Sequence, residues 1–170
     1  MKATGIVRRI DDLGRIVIPK EIRRTLRIRE GDPLEIFTDR EGKVILKKYS
    51  PIGELGSLAG IYADSLSKTL DCTVCITDTD QVIAAAGNGK KELQEMLLSA
   101  ELAEVFQERK TVLKKSSDAE FVAITKDRSE YSEEIISVIL SGGDIAGGVI
   151  FLQKNEKSIL EKWKRSLRQA

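Results

Sequence analysis

The stretch LGRIVIPKEIRRTL, residues 13–26, decides the fold of the first part of this chain. The β-branched run at 15–18 predicts a strand, and Pro19 suits the first position of a helix, where a fixed φ and a missing N–H cost nothing. Ile22 and Leu26 are four residues apart and predict one buried helix face. A strand therefore runs into a short helix whose arginines point outward at the corner.

Charge is divided unevenly along the 170 residues. Residues 1–50 hold 13 of the 28 Lys and Arg but only 8 of the 27 Asp and Glu, although the whole chain has a formal net charge of +1. A basic first part predicts contact with a polyanion, whereas the acidic remainder serves another purpose.

Residues 1–50 read as a hairpin, a helix and a second hairpin. The first hairpin has strands at 4–10 and 15–18, the helix covers about 19–28, and the second hairpin has strands at 34–38 and 43–48. A unit of ~50 residues with one helix buries little apolar surface and leaves strand edges open. We expect a dimer that interleaves strands of two chains and places two arginine corners on one face.

Six basic side chains of this part are candidate contacts to double-stranded DNA: Arg8, Arg9, Arg15, Lys20, Arg23 and Arg24. Five arginines within 17 positions favour DNA over an ordinary solvated surface, because guanidinium groups grip phosphate oxygens bidentately and reach base edges. The helix is too short to read a sequence alone, so groove width and bendability carry much of the discrimination. Asp11 and Asp12 are assigned to the hairpin turn, where they can also hold Arg15 or Arg8 in position.

Residues 4–26, TGIVRRIDDLGRIVIPKEIRRTL, resemble the signature of the AbrB-type transition-state regulators, and the similarity continues through 31–36 and 44–49. The resemblance implies a swapped-hairpin dimer whose DNA-contacting arginines are Arg8, Arg15, Arg23 and Arg24. Arg9 and Lys20 are added from charge and position. With its acidic extension the whole chain is similar to members of this family that regulate late spore-development genes, which implies an activator and repressor of sporulation genes.

The second part follows a linker at 51–54 and predicts an α+β domain over 55–170. An amphipathic helix at 55–70 precedes strands at 73–77 and 82–86, helices at 90–98 and 101–109, strands at 121–125, 135–140 and 147–152, and a last helix that begins near 155 or 158. This order, with GGDIAGGVI at 142–150, resembles a GAF domain. The resemblance implies an antiparallel sheet with flanking helices, an unidentified small molecule as the one candidate ligand, and pairing through the first and last helices.

The predicted fold class is therefore α+β, with an AbrB-like swapped-hairpin β-barrel dimer at 1–50 and a GAF-like antiparallel sheet with flanking helices at 55–170. The last helix carries an apolar stripe, formed by Ile159, Leu160, Trp163 and Leu167. A helix at a chain end has little else to cover such a stripe, so we expect it to join dimers into a tetramer.

Neither catalysis nor metal binding is indicated. The chain has no His, and its two cysteines, Cys72 and Cys75, are too few for tetrahedral zinc and lie where a strand points them to opposite faces. The glycines at 142–148 are assigned to a turn and a bulge. No apolar run is long enough for a membrane span, so we expect a cytoplasmic, nucleoid-associated regulator with no membrane partner.

One alternative stays open, an antitoxin-like module that neutralises a partner toxin. Small swapped-hairpin antitoxins share this kind of first domain, but they carry a short, disordered acidic segment that wraps the toxin. Residues 55–170 are apolar and patterned enough to fold, which favours the regulator.

Overall fold

The computed structural model describes residues 5–125, 131–154 and 158–159. Two compact units divide the chain, Met1–Tyr49 and Ser50–Ala170. The first unit contains helix α1 (Lys20–Thr25) and an antiparallel hairpin of strands β1 (Leu34–Thr38) and β2 (Val44–Lys48). The second hairpin of the sequence prediction is therefore present.

The first predicted hairpin is only a turn in the single chain. Asp11 donates its N–H to the carbonyl of Arg15 at 3.1 Å and Gly14 donates to Asp11 at 3.0 Å, but residues 5–10 and 15–19 form no strand. Strands need a partner for their backbone groups, and the described part of the chain supplies none here. Large apolar side chains consequently stay exposed in these two segments: Ile6, Val7, Ile10, Ile16 and Val17.

Helix α1 is shorter than the predicted 19–28. Arg27 has a left-handed φ of +53°, and the N–H of Ile28 donates to the carbonyl of Arg23 at 2.8 Å, which closes the last turn. The prediction of a buried face is wrong for the single chain, because Leu26 is 57% exposed and α1 has no buried residue.

The second unit contains a five-stranded antiparallel sheet and four helices among its described residues. Its helices are α2 (Pro51–Glu54), α3 (Gly56–Leu70), α4 (Lys90–Leu93) and α5 (Ala100–Gln107). Its strands are β3 (Thr73–Thr77), β4 (Val82–Ala86), β5 (Val112–Lys115), β6 (Glu133–Ser141) and β7 (Asp144–Gln153), in the spatial order β4-β3-β7-β6-β5. The predicted linker at 51–54 is α2, with Ser50 as its N-cap.

The sheet separates two apolar clusters. Ala59 and Ala63 of α3 belong to one cluster, with Val74 of β3, while Leu102 and Phe106 of α5 pack in the other. The cysteines follow this division as predicted, since Cys72 lies in the first cluster and Cys75 in the second, and both are free thiols. Burial raises the pKa of Cys75 to about 12, so this thiol is inert at neutral pH.

One predicted strand is wrong, and one strand was not predicted. Residues 121–125 form no strand, and Thr125 makes only an isolated bridge to Leu98. The edge strand is β5 instead, paired with β6 from Val112 opposite Ile136 to Lys115 opposite Glu133. The helix predicted at 90–98 also ends early, as α4.

The glycines of 142–148 serve a turn, as predicted, and a close approach between strands, which was not predicted; the predicted bulge is the register shift of the β6–β7 pair between Ile139 and Leu140. Gly142 and Gly143 have φ of +60° and +91° at the turn between β6 and β7. A Cβ on Gly147 would lie 1.9 Å from the carbonyl oxygen of Thr77, so only glycine lets β7 approach β3 there.

The predicted C-terminal helix lies outside the described residues except for Ser158 and Ile159. Ile159 is 2% exposed and joins the cluster under α3. Within the described ranges, no helix has both the length and the apolar character that crossing a bilayer requires.

Candidate nucleic-acid interface

Helix α1 presents three of the six candidate residues. Pro19, with φ −55° and ψ 146°, starts the helix, and its carbonyl accepts the N–H of Arg23 at 3.0 Å. Lys20 precedes Arg23 and Arg24 by three and four positions, so the three side chains are neighbours on the helix surface. Lys20 and Arg24 are exposed, and Arg23 is half-buried.

The Nε of Arg23 is buried and has no hydrogen-bond partner among the described residues. An unsatisfied buried donor on a charged group costs about 1–3 kcal/mol or more. The Nε of Arg23 is therefore a donor that the described part of the folded unit leaves unsatisfied.

The turn at 11–15 fixes Arg15. Asp11 accepts the backbone N–H groups of Leu13 at 3.1 Å and Arg15 at 2.7 Å through Oδ1, and the Arg15 Nε at 2.8 Å through Oδ2. The hydrogen bond from the Arg15 backbone, followed by the one from its side chain, lowers the pKa of Asp11. Asp12 makes no such contact with any described residue, so the expected holding role falls to Asp11 and its partner is Arg15.

Arg8 and Arg9 lie in the segment that forms no strand, and both are exposed. No hydrogen bond or ion pair among the described residues joins them to α1 or to the 11–15 turn. Like Lys20 and Arg24, they make no ion pair among the described residues. Two lysines of the second hairpin differ, since Lys43 pairs with Glu41 and Lys48 lies 3.0 Å from Asp32.

Among the described residues of the second unit, two openings lie on the side of the sheet that α5 covers. A cavity of about 230 Å³ is lined by Ser116, Asp118, Ala119, Tyr131 and the segment 121–124. A wider cleft of about 600 Å³ runs between α5 and β5 and is lined by Glu101, Glu104, Glu108 and Glu120 together with Lys110, Lys114 and neighbouring apolar residues. No metal-binding group of His, Cys, Asp or Glu occurs within the residues described.

A buried carboxyl group, Glu134 on β6, was not predicted from the sequence. Its Oε1 accepts the N–H of Val122 at 2.8 Å, its Oε2 has no partner among the described residues, and the side chain is fully buried. Burial raises the pKa of Glu134 to about 7, against the opposing effects of the Val122 hydrogen bond and the charge of Lys114. An acidic residue directly before an apolar strand run was the available signal.

Comparisons with known proteins cover both units. The family model of the stage V sporulation protein T C-terminal, transcription factor, matches residues 54–170, and that of antidote-toxin recognition MazE, bacterial antitoxin, matches residues 7–54. Stage V sporulation protein T of Bacillus subtilis (strain 168) is 52% identical over 160 residues, which span 92% of this chain and 87% of that protein.

Solved structures resemble each unit separately. The N-terminal DNA recognition domain of the Bacillus subtilis regulator AbrB is 65% identical and covers 30% of this chain and 94% of that domain, with a TM-score of 0.27. The type II free methionine-R-sulfoxide reductase of Thermoplasma acidophilum is 12% identical, with a TM-score of 0.50, and covers 66% of this chain and 86% of that one. The reductase shows the fold alone.

The predicted α+β class is confirmed, and so is the prediction of a sporulation regulator rather than an enzyme. The identity to the Bacillus subtilis protein runs through both units, and the matched C-terminal model covers most of the chain. The chain therefore belongs to the stage V sporulation protein T family of transcription factors.

Proposed function

We propose that this transcription factor binds double-stranded DNA as a homodimer through its first unit, with Arg8, Arg9, Arg15, Lys20, Arg23 and Arg24 as the contacting residues. One observation carries the proposal. Five of these side chains are exposed, the sixth is half-buried, and only Arg15 is paired with an acidic group in the described part of the chain. The positive charge is thus available to phosphates.

The unpaired segments of the first unit support a dimer. Val7 is 88% exposed and Val17 is 74% exposed, and both lie where the sequence pattern demands strands. Burying such side chains is worth about 1.5–3 kcal/mol each. A second copy can supply both the missing strand partners and the apolar cover, and its two-fold axis would set two sets of arginines against one duplex.

A DNA titration of the full-length chain tests the interface. The substitution Arg23→Ala with Arg24→Ala should weaken binding of a double-stranded promoter fragment at least tenfold in fluorescence anisotropy, because each copy loses two phosphate-binding groups. Arg40→Ala is the matched control, since Arg40 is an exposed arginine of the same unit in the turn after β1. Equal affinities of the double variant and the wild-type chain would overturn the proposal.

For the second unit we propose assembly of dimers into a tetramer. The sequence predicts that the C-terminal helices form the contact between dimers. Helix α3 adds support, because its side chains Leu58, Ile61 and Tyr62 are 48%, 66% and 63% exposed. Solvent-exposed apolar side chains at this spacing form a stripe that suits another helix. Leu58→Ser with Tyr62→Ser should halve the mass measured by light scattering, whereas an unchanged mass would contradict a contact through α3.

Small-molecule sensing is the further part of the proposal, and the cavity of about 230 Å³ beside Tyr131 supports it. A thermal-shift screen with metabolites would test it, and a hit should also change DNA affinity if the two units are coupled. The antitoxin alternative finds less support, because a packed five-stranded sheet stands where a disordered acidic segment would be needed. Nucleoid association follows from DNA binding and can be imaged with a tagged chain.

A further inference from the structure

The 11–15 turn contains two adjacent carboxylates with different surroundings. Asp11 accepts three hydrogen bonds, two from backbone N–H groups and one from the Arg15 Nε. Asp12 is exposed and contacts no cation among the described residues. Both residues carry the same charge in the same turn, so only their geometry distinguishes them.

The contact with Asp11 uses one edge of the Arg15 guanidinium group. Its Nε is bound, while the two η nitrogens have no partner in the residues that the structure describes, and 71% of the side chain is exposed. An arginine held at Nε can still offer its η N–H groups to an anion. The pair therefore restricts the side chain without removing its capacity to bind phosphate.

We propose that Asp11 is a positioning residue for DNA binding, which holds the Arg15 guanidinium in place so that its η nitrogens meet a backbone phosphate. This inference rests on the proposed DNA-binding function of the first unit. A long side chain that is already ordered loses less conformational freedom when the complex forms, which tightens binding. The turn amides that Asp11 accepts fix the backbone beneath the same side chain.

Simple electrostatics predicts the opposite effect on DNA affinity when the charge of Asp11 is removed. A negative charge beside a DNA-binding surface repels phosphates, so removing it should strengthen binding. Asp12 should follow this rule, because its carboxylate holds no other side chain in the part of the chain that the structure describes. Asp11 should break the rule, because loss of the ordered Arg15 outweighs the removal of one charge.

The test compares Asp11→Asn with Asp12→Asn in the full-length chain. Asparagine keeps one oxygen for the N–H groups of Leu13 and Arg15, but its amide nitrogen cannot accept the Arg15 Nε. Both variants change the net charge equally. In anisotropy titrations, Asp11→Asn should bind DNA about two- to tenfold more weakly, and Asp12→Asn should bind as tightly as the wild-type chain or more tightly.

The combination with Arg15→Ala separates positioning from a structural effect. In that background Asp11→Asn should no longer weaken binding, whereas a damaged turn would weaken it in either background. Exposed ion pairs add little to stability, so circular dichroism should show all variants folded. The inference is overturned if Arg15→Ala weakens DNA binding but Asp11→Asn leaves it unchanged or tightens it. An Arg15→Ala variant that binds normally removes Arg15 from the proposed interface instead.

Discussion

Replacing Glu134 with glutamine should make the stability of the second unit less dependent on pH. The carboxyl group is fully buried, and Val122 is its one hydrogen-bond donor among the described residues. Burial raises its pKa from 4.5 to about 7, so the folded chain holds a proton that the unfolded chain releases. The contribution of this protonated carboxyl group to the free energy of unfolding is fully present below about pH 4.5. It is lost as the pH rises through about 7.

The size of this effect follows from the two pKa values. A rise from 4.5 to about 7 corresponds to about 3 kcal/mol lost from the free energy of unfolding between acid and mildly alkaline pH. Glutamine has the same shape, keeps an oxygen for the Val122 N–H and does not ionise. Glu134→Gln should therefore match the wild-type chain near pH 4.5 and exceed it by up to about 3 kcal/mol near pH 8.

Urea denaturation at several pH values, followed by circular dichroism, measures the difference directly. Glu133→Gln is the matched control, because its carboxylate accepts the Ser158 hydroxyl at 2.8 Å and lies 3.7 Å from the Lys115 Nζ. That variant loses charged interactions and should be less stable than the wild-type chain near pH 8. A Glu134→Gln effect that is the same at pH 4.5 and pH 8 would refute the reasoning.

Two destabilising substitutions, one of them with a control, test the packing of the second unit by thermal or urea denaturation. Gly147→Ala should destabilise the unit by about 3 kcal/mol or more, because the new Cβ would lie 1.9 Å from the Thr77 carbonyl oxygen. Its control is Gly60→Ala in α3. The new Cβ there meets no atom within 4 Å, so this variant should be neutral or stabilising. Ser99→Ala should cost about 1 kcal/mol, since Ser99 Oγ accepts the Leu102 N–H at 3.0 Å and caps α5. Unaltered stability of Gly147→Ala or of Ser99→Ala would contradict the packing described.

The sequence could predict elements whose pattern and pairing are both local. Strands β3 and β4 follow one another, are joined by a turn, and match their predicted bounds. Strand β5 could not be found, because its two apolar residues precede two lysines and resemble a loop. The segment 121–125 has the composition of a strand, but its Val122 N–H bonds to the Glu134 side chain instead of a neighbouring strand.

The sequence was enough to predict which residues belong to the candidate site, but less of how their side chains are arranged. The basic residues could be chosen from charge and position, since a surface arginine needs no long-range contact to be exposed. Adjacent Asp11 and Asp12 look equivalent in sequence, and only the backbone of the turn decides which one bonds Arg15. The segments on either side of that turn, which the sequence predicts as strands, have no partner within the described chain, so no pattern within one copy could complete them.

The salt dependence of DNA affinity tests the central claim most directly. A homodimer that neutralises roughly 6 to 10 phosphates should show a slope of about −5 to −9 when the logarithm of the binding constant is plotted against the logarithm of salt concentration. Removing Arg23 and Arg24 from both copies should make this slope shallower by about 3 or 4. A slope near zero for the wild-type chain, or one that the double variant leaves unchanged, would contradict a phosphate-binding surface built from these arginines.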